Sequence, residues 1–212
     1  MDMSVVDAAE LLRVSPRRVR ALIASGQVRA RRIAGCHIVD STSLRAARHV
    51  TRPMSGPNAW ALIVGPERAT WLNPSQKYRL RRRVAVVDQS PDRLAVVASW
   101  LAGRGRAEAY FCPDSARLLG DPRLVATGVS DPRSRISSEH DQYWVQPGYL
   151  ADVTRDHLLV PSRDGQVRMG EAPVEVPTPA PALLVAVDLF EDGQPRSMLA
   201  AERLIRDLVL WP

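Results

Sequence analysis

The sequence predicts an α/β chain of the α+β kind, with a small head over residues 1–52 and a mixed α/β body over residues 53–212. Three observations carry this reading. The apolar period changes from 3.6 to about two within the first forty residues, and a proline-rich junction follows at residues 51–57. Beyond the junction, apolar helical runs give way to short strands bounded by turn residues. With 212 residues, 45% of them apolar, the chain can build one ordinary core and a smaller one.

In the head, Ser4 and Asp7 have the spacing of a capping box, and Val5, Ala8, Ala9 and Leu12 follow on one helical face. Val14 ends that helix. Ser15-Pro16 places a capping hydroxyl before a proline at the first helical position, which predicts a second helix. Val19, Leu22 and Ile23 share its apolar face, Arg17, Ala21 and Ala24 lie opposite, and Arg18 and Arg20 flank them. Gly26 is its expected stop. A β-hairpin is expected next, through Val28 to Ile33, a turn at Ala34-Gly35, and Cys36 to Val39. Asp40-Ser41-Thr42 then caps a third helix running through Leu44 and Ala47.

Charge indicates what such a head contacts. Residues 1–52 carry ten arginines against four acidic residues, whereas residues 53–212 carry nineteen of each sign. The whole surplus of +6 therefore sits in the first quarter of the chain. Two short helices, the second bearing arginines and small side chains outward, fit a DNA major groove about 12 Å wide. The expected partner is double-stranded DNA. Arg17 and Arg18 are expected at base edges, Ser15 and Arg20 at phosphates, and Arg29, Arg31 and Arg32 in a wing along the backbone. The stretches 8–12, 14–19, Ser25-Gly26 and 38–40 resemble the winged helix-turn-helix of MerR and excisionase proteins.

In the body, Asn58 to Ile63 begins an apolar helix, and Asn73-Pro74-Ser75 caps a second one that carries Lys77, Arg79, Arg81, Arg82 and Arg83. This is the second basic cluster. Lys77, Arg79 and Arg82 are candidate phosphate contacts, against the alternative of a solvated helix face. Residues 94–101 read as a buried helix ending at Gly103. Strands are expected from Tyr110 onward, at 124–128, 142–145, 157–160 and 166–169. Residues 173–181, with four prolines, should be extended. Residues 182–187 form a strand or the start of a buried helix, and a terminal helix carries Met198, Leu199, Ala201, Leu204, Ile205 and Leu208.

Several of these segments also resemble the AbiEi-type antitoxins, the regulators paired with nucleotidyltransferase toxins in type IV toxin–antitoxin operons. They are residues 52–55 with 58–62, Tyr78 to Arg83, Val125 to Ser130, and Asp188-Leu189 with Pro195-Arg196, Ala200-Ala201 and Leu204. The resemblance implies a head that represses transcription from the operator of its own operon and a body that counteracts a nucleotidyltransferase toxin. Self-association on paired DNA half-sites is expected with it. An excisionase-like architectural protein and a DNA-acting nuclease are the alternatives.

No catalytic constellation is expected, and neither a cofactor nor a metal. His37, His49, His140 and His157 have no metal-ligand spacing, and Gly103-Arg104-Gly105 lacks the third glycine of a dinucleotide loop. Asp188, Glu191 and Asp192 are the best carboxylate group. A nuclease-like role competes there with service to the dipole of a helix start. Cys36 and Cys112 read as buried, reduced thiols. With no signal-like segment and no eighteen-residue apolar run, a cytoplasmic protein is expected.

Overall fold

The computed structural model describes residues 2–12, 14–24, 28–33, 35–41, 43–44, 53–87, 90, 92–206 and 208–211, without the side chains of Asp2 and Val86. Its described residues form a mixed α/β structure with two sheets and eight helices longer than a single turn. They contain no helix long and apolar enough to cross a membrane.

The head begins with a strand absent from the sequence reading, β1 (Asp2–Ser4), which leads directly into α1 (Val5–Leu12). The capping box is present: Ser4 Oγ accepts from Asp7 N at 3.1 Å, and the Asp7 carboxylate accepts from Ser4 N at 3.2 Å. Helix α2 (Pro16–Ala24) follows, then β2 (Ala30–Ile33) and β3 (Cys36–Asp40), which form an antiparallel sheet in the order β1-β3-β2. Val5, Ala8, Ala9, Val19, Leu22, Val28, Val39 and Leu44 close one core. The expected stop at Gly26 and the expected third helix beyond Leu44 lie outside the described residues. Cys36 departs from expectation: it is exposed, because its pairing with Ile33 puts it at the hairpin tip beyond that core.

Three helices open the body, α3 (Gly56–Val64), α4 (Pro74–Val87) and α5 (Arg93–Leu101). A five-stranded sheet follows in the order β5-β6-β8-β4-β7. Its strands are β4 (Glu108–Phe111), β5 (Leu124–Ala126), β6 (Asp141–Val145), β7 (Val160–Pro161) and β8 (Val167–Glu171). All pairings are antiparallel except β6 with β8, and that parallel pair needs a long crossover. The crossover holds α6 (Leu150–Asp156), a helix the sequence reading missed.

The strand expected at 157–160 is therefore corrected. His157 caps α6, Leu158 takes a left-handed φ of 53°, and pairing begins only at Val160. The misleading signal was real: Leu158, Leu159 and Val160 alternate exposed, buried, exposed, as a strand does. Gly165, in the turn from β7 to β8, is required by a close approach. A Cβ there would fall 2.2 Å from the Tyr110 carbonyl carbon. Because that neighbour is backbone, Gly165→Ala is expected to cost about 1–3 kcal/mol, seen as a lowered urea midpoint.

After the extended proline segment come α7 (Ala182–Asp192) and α8 (Pro195–Arg206). Residues 183–190 of α7 are buried without interruption, so this helix runs through the core and not along its surface. That decides the alternative left open for 182–187. Against α7 stand Trp60 and Trp144, edge to face with ring centres 4.9 Å apart.

Candidate nucleic-acid interface

Helix α2 presents one face inward and one outward. Val19 and Leu22 are buried in the head core, whereas Arg17, Arg18, Arg20, Ala21 and Ala24 are exposed, and the helix holds no acidic residue. Ser15 Oγ accepts from Arg18 N at 3.2 Å, which fixes the first turn and the origin of the arginine row. Arg17, Arg18 and Arg20 thus stand together on one short rod.

The hairpin separates its arginines. Arg31 pairs with Ile38, and Arg32 pairs with His37. Since strand side chains alternate, Arg32 falls on the face of buried Val39, the side that packs on the helices, and Arg31 falls on the other. Both are exposed, and Arg32 Nε donates to the Gly35 carbonyl at 3.4 Å.

Arg29 is placed elsewhere. Its Nη2 donates to the Glu191 carbonyl at 2.8 Å, at the C-terminal end of α7 where the helix dipole favours a cation. Gly193 ends that helix at a φ of 68°, and a Cβ at this position would lie 1.9 Å from Arg29 Nη2. The expected wing anchor therefore joins the head to the body in this arrangement.

The second basic cluster is also divided. Asn73 and Gln76 cap α4 reciprocally at 2.9 Å, while Leu80, Val84 and Val87 are buried on its inner face. Lys77 turns back, with Nζ donating to the Pro66 carbonyl at 2.9 Å. The Arg83 guanidinium lies over the Trp100 ring at 4.4 Å, and burial draws its pKa below the ordinary range. Arg79 and Arg82 remain on the exposed face, joined by Arg81 and by Tyr78, neither of which the sequence reading had selected. Helical spacing alone carries the signal that would have found Tyr78, since it lies on the side opposite Leu80 and Val84.

The acidic group is reassigned. Asp188, Glu191 and Asp192 sit in the last turns of α7, not at a helix start, so the expected service to the dipole is the wrong way round. Arg104 occupies two of them instead. Its Nη2 reaches Asp188 Oδ1 at 2.6 Å and Glu191 Oε2 at 2.7 Å, and its Nη1 reaches Glu191 Oε1 at 2.7 Å. Asp188 Oδ2 accepts from Thr127 Oγ1 at 2.8 Å and from Trp144 Nε1 at 2.9 Å. Trp60 Nε1 closes the network by donating to the Arg104 carbonyl at 2.7 Å.

Burial works against the Arg104 charge, but Glu191 and Asp188 outweigh it and raise its pKa. Burial likewise lifts the Asp188 carboxyl above the usual range, against the downward pull of Arg104, Thr127 and Trp144. These carboxylates hold α7 to the loop after α5. Among the described residues there is no group of three or more His, Cys, Asp or Glu side chains arranged to hold a metal ion.

No family model, curated protein or solved structure matches the chain.

Proposed function

We propose that residues 1–52 act as a winged helix-turn-helix that binds duplex DNA, and that the protein is an autorepressing antitoxin which counteracts a nucleotidyltransferase toxin. What carries the reading is the outward face of α2. Three exposed guanidiniums on a helix without acidic residues are backed by a sealed core and a hairpin bearing two more.

In this reading α2 enters the major groove, where Arg17 and Arg18 meet base edges, and the Ser15 turn with Arg20 fixes register on phosphates. Arg31 and Arg32, on opposite faces of the hairpin, reach different stretches of backbone. The antitoxin part is supported by the resemblance of the body segments alone.

Footprinting of the full chain on DNA upstream of its own gene, with co-expression of the adjacent gene product, tests both parts. A protected upstream site and relief of the neighbour's toxicity are expected. Protection without any toxic neighbour would leave the repressor and remove the antitoxin. An integrase gene beside this one would favour the excisionase-like alternative.

A further inference from the structure

Between the first turn of α3 and the flank of α4 lies an open hollow of about 250 Å³, lined by Met54, Asn58, Gln76, Arg79, Leu80 and Arg83. Met54 and Leu80, both buried, supply an apolar floor. The remaining four side chains carry nitrogen donors, and no carboxylate is among the described lining residues. Gln76 Oε1 is committed to the α4 cap, so its Nε2 is the end left for a ligand. Neither the Asn58 amide nor the Arg79 guanidinium has an ion-pair or side-chain hydrogen-bond partner among the described residues. Arg79 also borders a neighbouring hollow lined by Pro74, Ser75 and Tyr78, whose ring is 60% exposed.

We propose that this hollow is a phosphoryl-binding site, with Arg79 as its principal ligand, Arg83 beside it, and the Asn58 and Gln76 amides as neutral donors. The donors converge from two helices. A planar carboxylate satisfies one guanidinium fork, whereas a phosphoryl group offers three acceptor oxygens in different directions and can meet several donors at once. Arg83 is held partly desolvated over Trp100, where an anion gains more than it would in water. The exposed Tyr78 ring beside Arg79 offers a platform for a base attached to that phosphate. The phosphoryl group belongs either to a free nucleotide or to a nucleic-acid backbone. The site is independent of the head's role, since none of its residues lies in residues 1–52.

Calorimetric titration of the full chain at low ionic strength with pyrophosphate, AMP and a short DNA duplex tests this. Three variants serve: Arg79→Ala, Asn58→Ala and, as a head-silenced background, Arg17→Ala/Arg18→Ala/Arg20→Ala. Pyrophosphate is expected to bind saturably and to lose at least tenfold in affinity in Arg79→Ala, while the head-silenced protein binds it unchanged. Competition by AMP assigns the site to free nucleotides, and competition by the duplex in the head-silenced protein assigns it to a nucleic-acid backbone. Absence of saturable pyrophosphate binding overturns the proposal. So does binding that either Arg79→Ala or Asn58→Ala leaves unchanged, since a loss confined to Arg79→Ala is merely one of net charge.

Discussion

Arg104→Ala is expected to lower the stability of the protein by about 3–5 kcal/mol, because it leaves the buried Asp188 carboxylate without its ion-pair partner. The Arg104 and Asp188 side chains are 3% and 9% exposed, so water cannot replace the lost partner at Asp188. Glu191, at 48%, can rehydrate, and the deficit is therefore concentrated on Asp188. The loss has a pH signature. A carboxyl whose folded pKa is raised contributes stability that is complete below its unfolded pKa and is lost as pH rises through the folded value. Asp188 is already raised, and removal of Arg104 raises it further. Hence the deficit of the variant is largest near neutrality and shrinks on acidification toward about pH 4, the ordinary carboxylate range. Urea unfolding of both proteins across that range reads the effect, and a deficit independent of pH would contradict it. Replacing Asp188 with Asn in the Arg104→Ala protein is expected to recover part of the loss at neutral pH.

The second large effect concerns DNA. If α2 reads base edges, Arg17→Ala costs about 1–3 kcal/mol of binding on the cognate operator and abolishes preference at one base position. Arg31→Ala, placed on the hairpin, weakens cognate and random duplexes alike and lowers the salt slope by about one. Binding titrations of both variants against an operator with each base pair changed in turn separate the two roles. Equal losses on specific and random DNA for both variants would remove Arg17 from readout.

The elements legible in the sequence are those whose signal is local. Ser4 with Asp7, Ser15-Pro16 and Asn73-Pro74-Ser75 write three helix starts into neighbouring residues, and each cap is present, the last with Gln76 as the partner of Asn73. The misses have non-local causes. Strand β1 exists because β3 lies beside it, with Met3 opposite Val39, and three residues carry no period of their own. Helix α6, seven residues long, is too short to show a period of its own, and what holds it is the packing of Val153 and Leu150 against the second core.

The candidate interface divides in the same way. The outward row of Arg17, Arg18 and Arg20 follows from helical spacing and was available from residue order. The engagement of Arg29 with the Glu191 carbonyl spans 162 residues, and no local pattern announces it. Arg104 was likewise invisible: flanked by two glycines, it enters the sequence only as part of an incomplete dinucleotide loop, whereas its carboxylate partners lie more than eighty residues away. In the basic run 77–83 the sequence gives charge but not direction. The buried positions Leu80 and Val84 decide which cations face outward, and the Pro66 carbonyl and the Trp100 ring claim Lys77 and Arg83.

The central claim, that the α2 face grips a DNA duplex, is tested most directly by the salt dependence of duplex binding by the full chain and by its Arg17→Ala/Arg18→Ala/Arg20→Ala variant. Affinity that falls linearly with the logarithm of salt concentration is predicted, with a slope smaller in magnitude by about three in the variant. No association with duplex DNA at low ionic strength, or identical curves for the two proteins, would contradict the account.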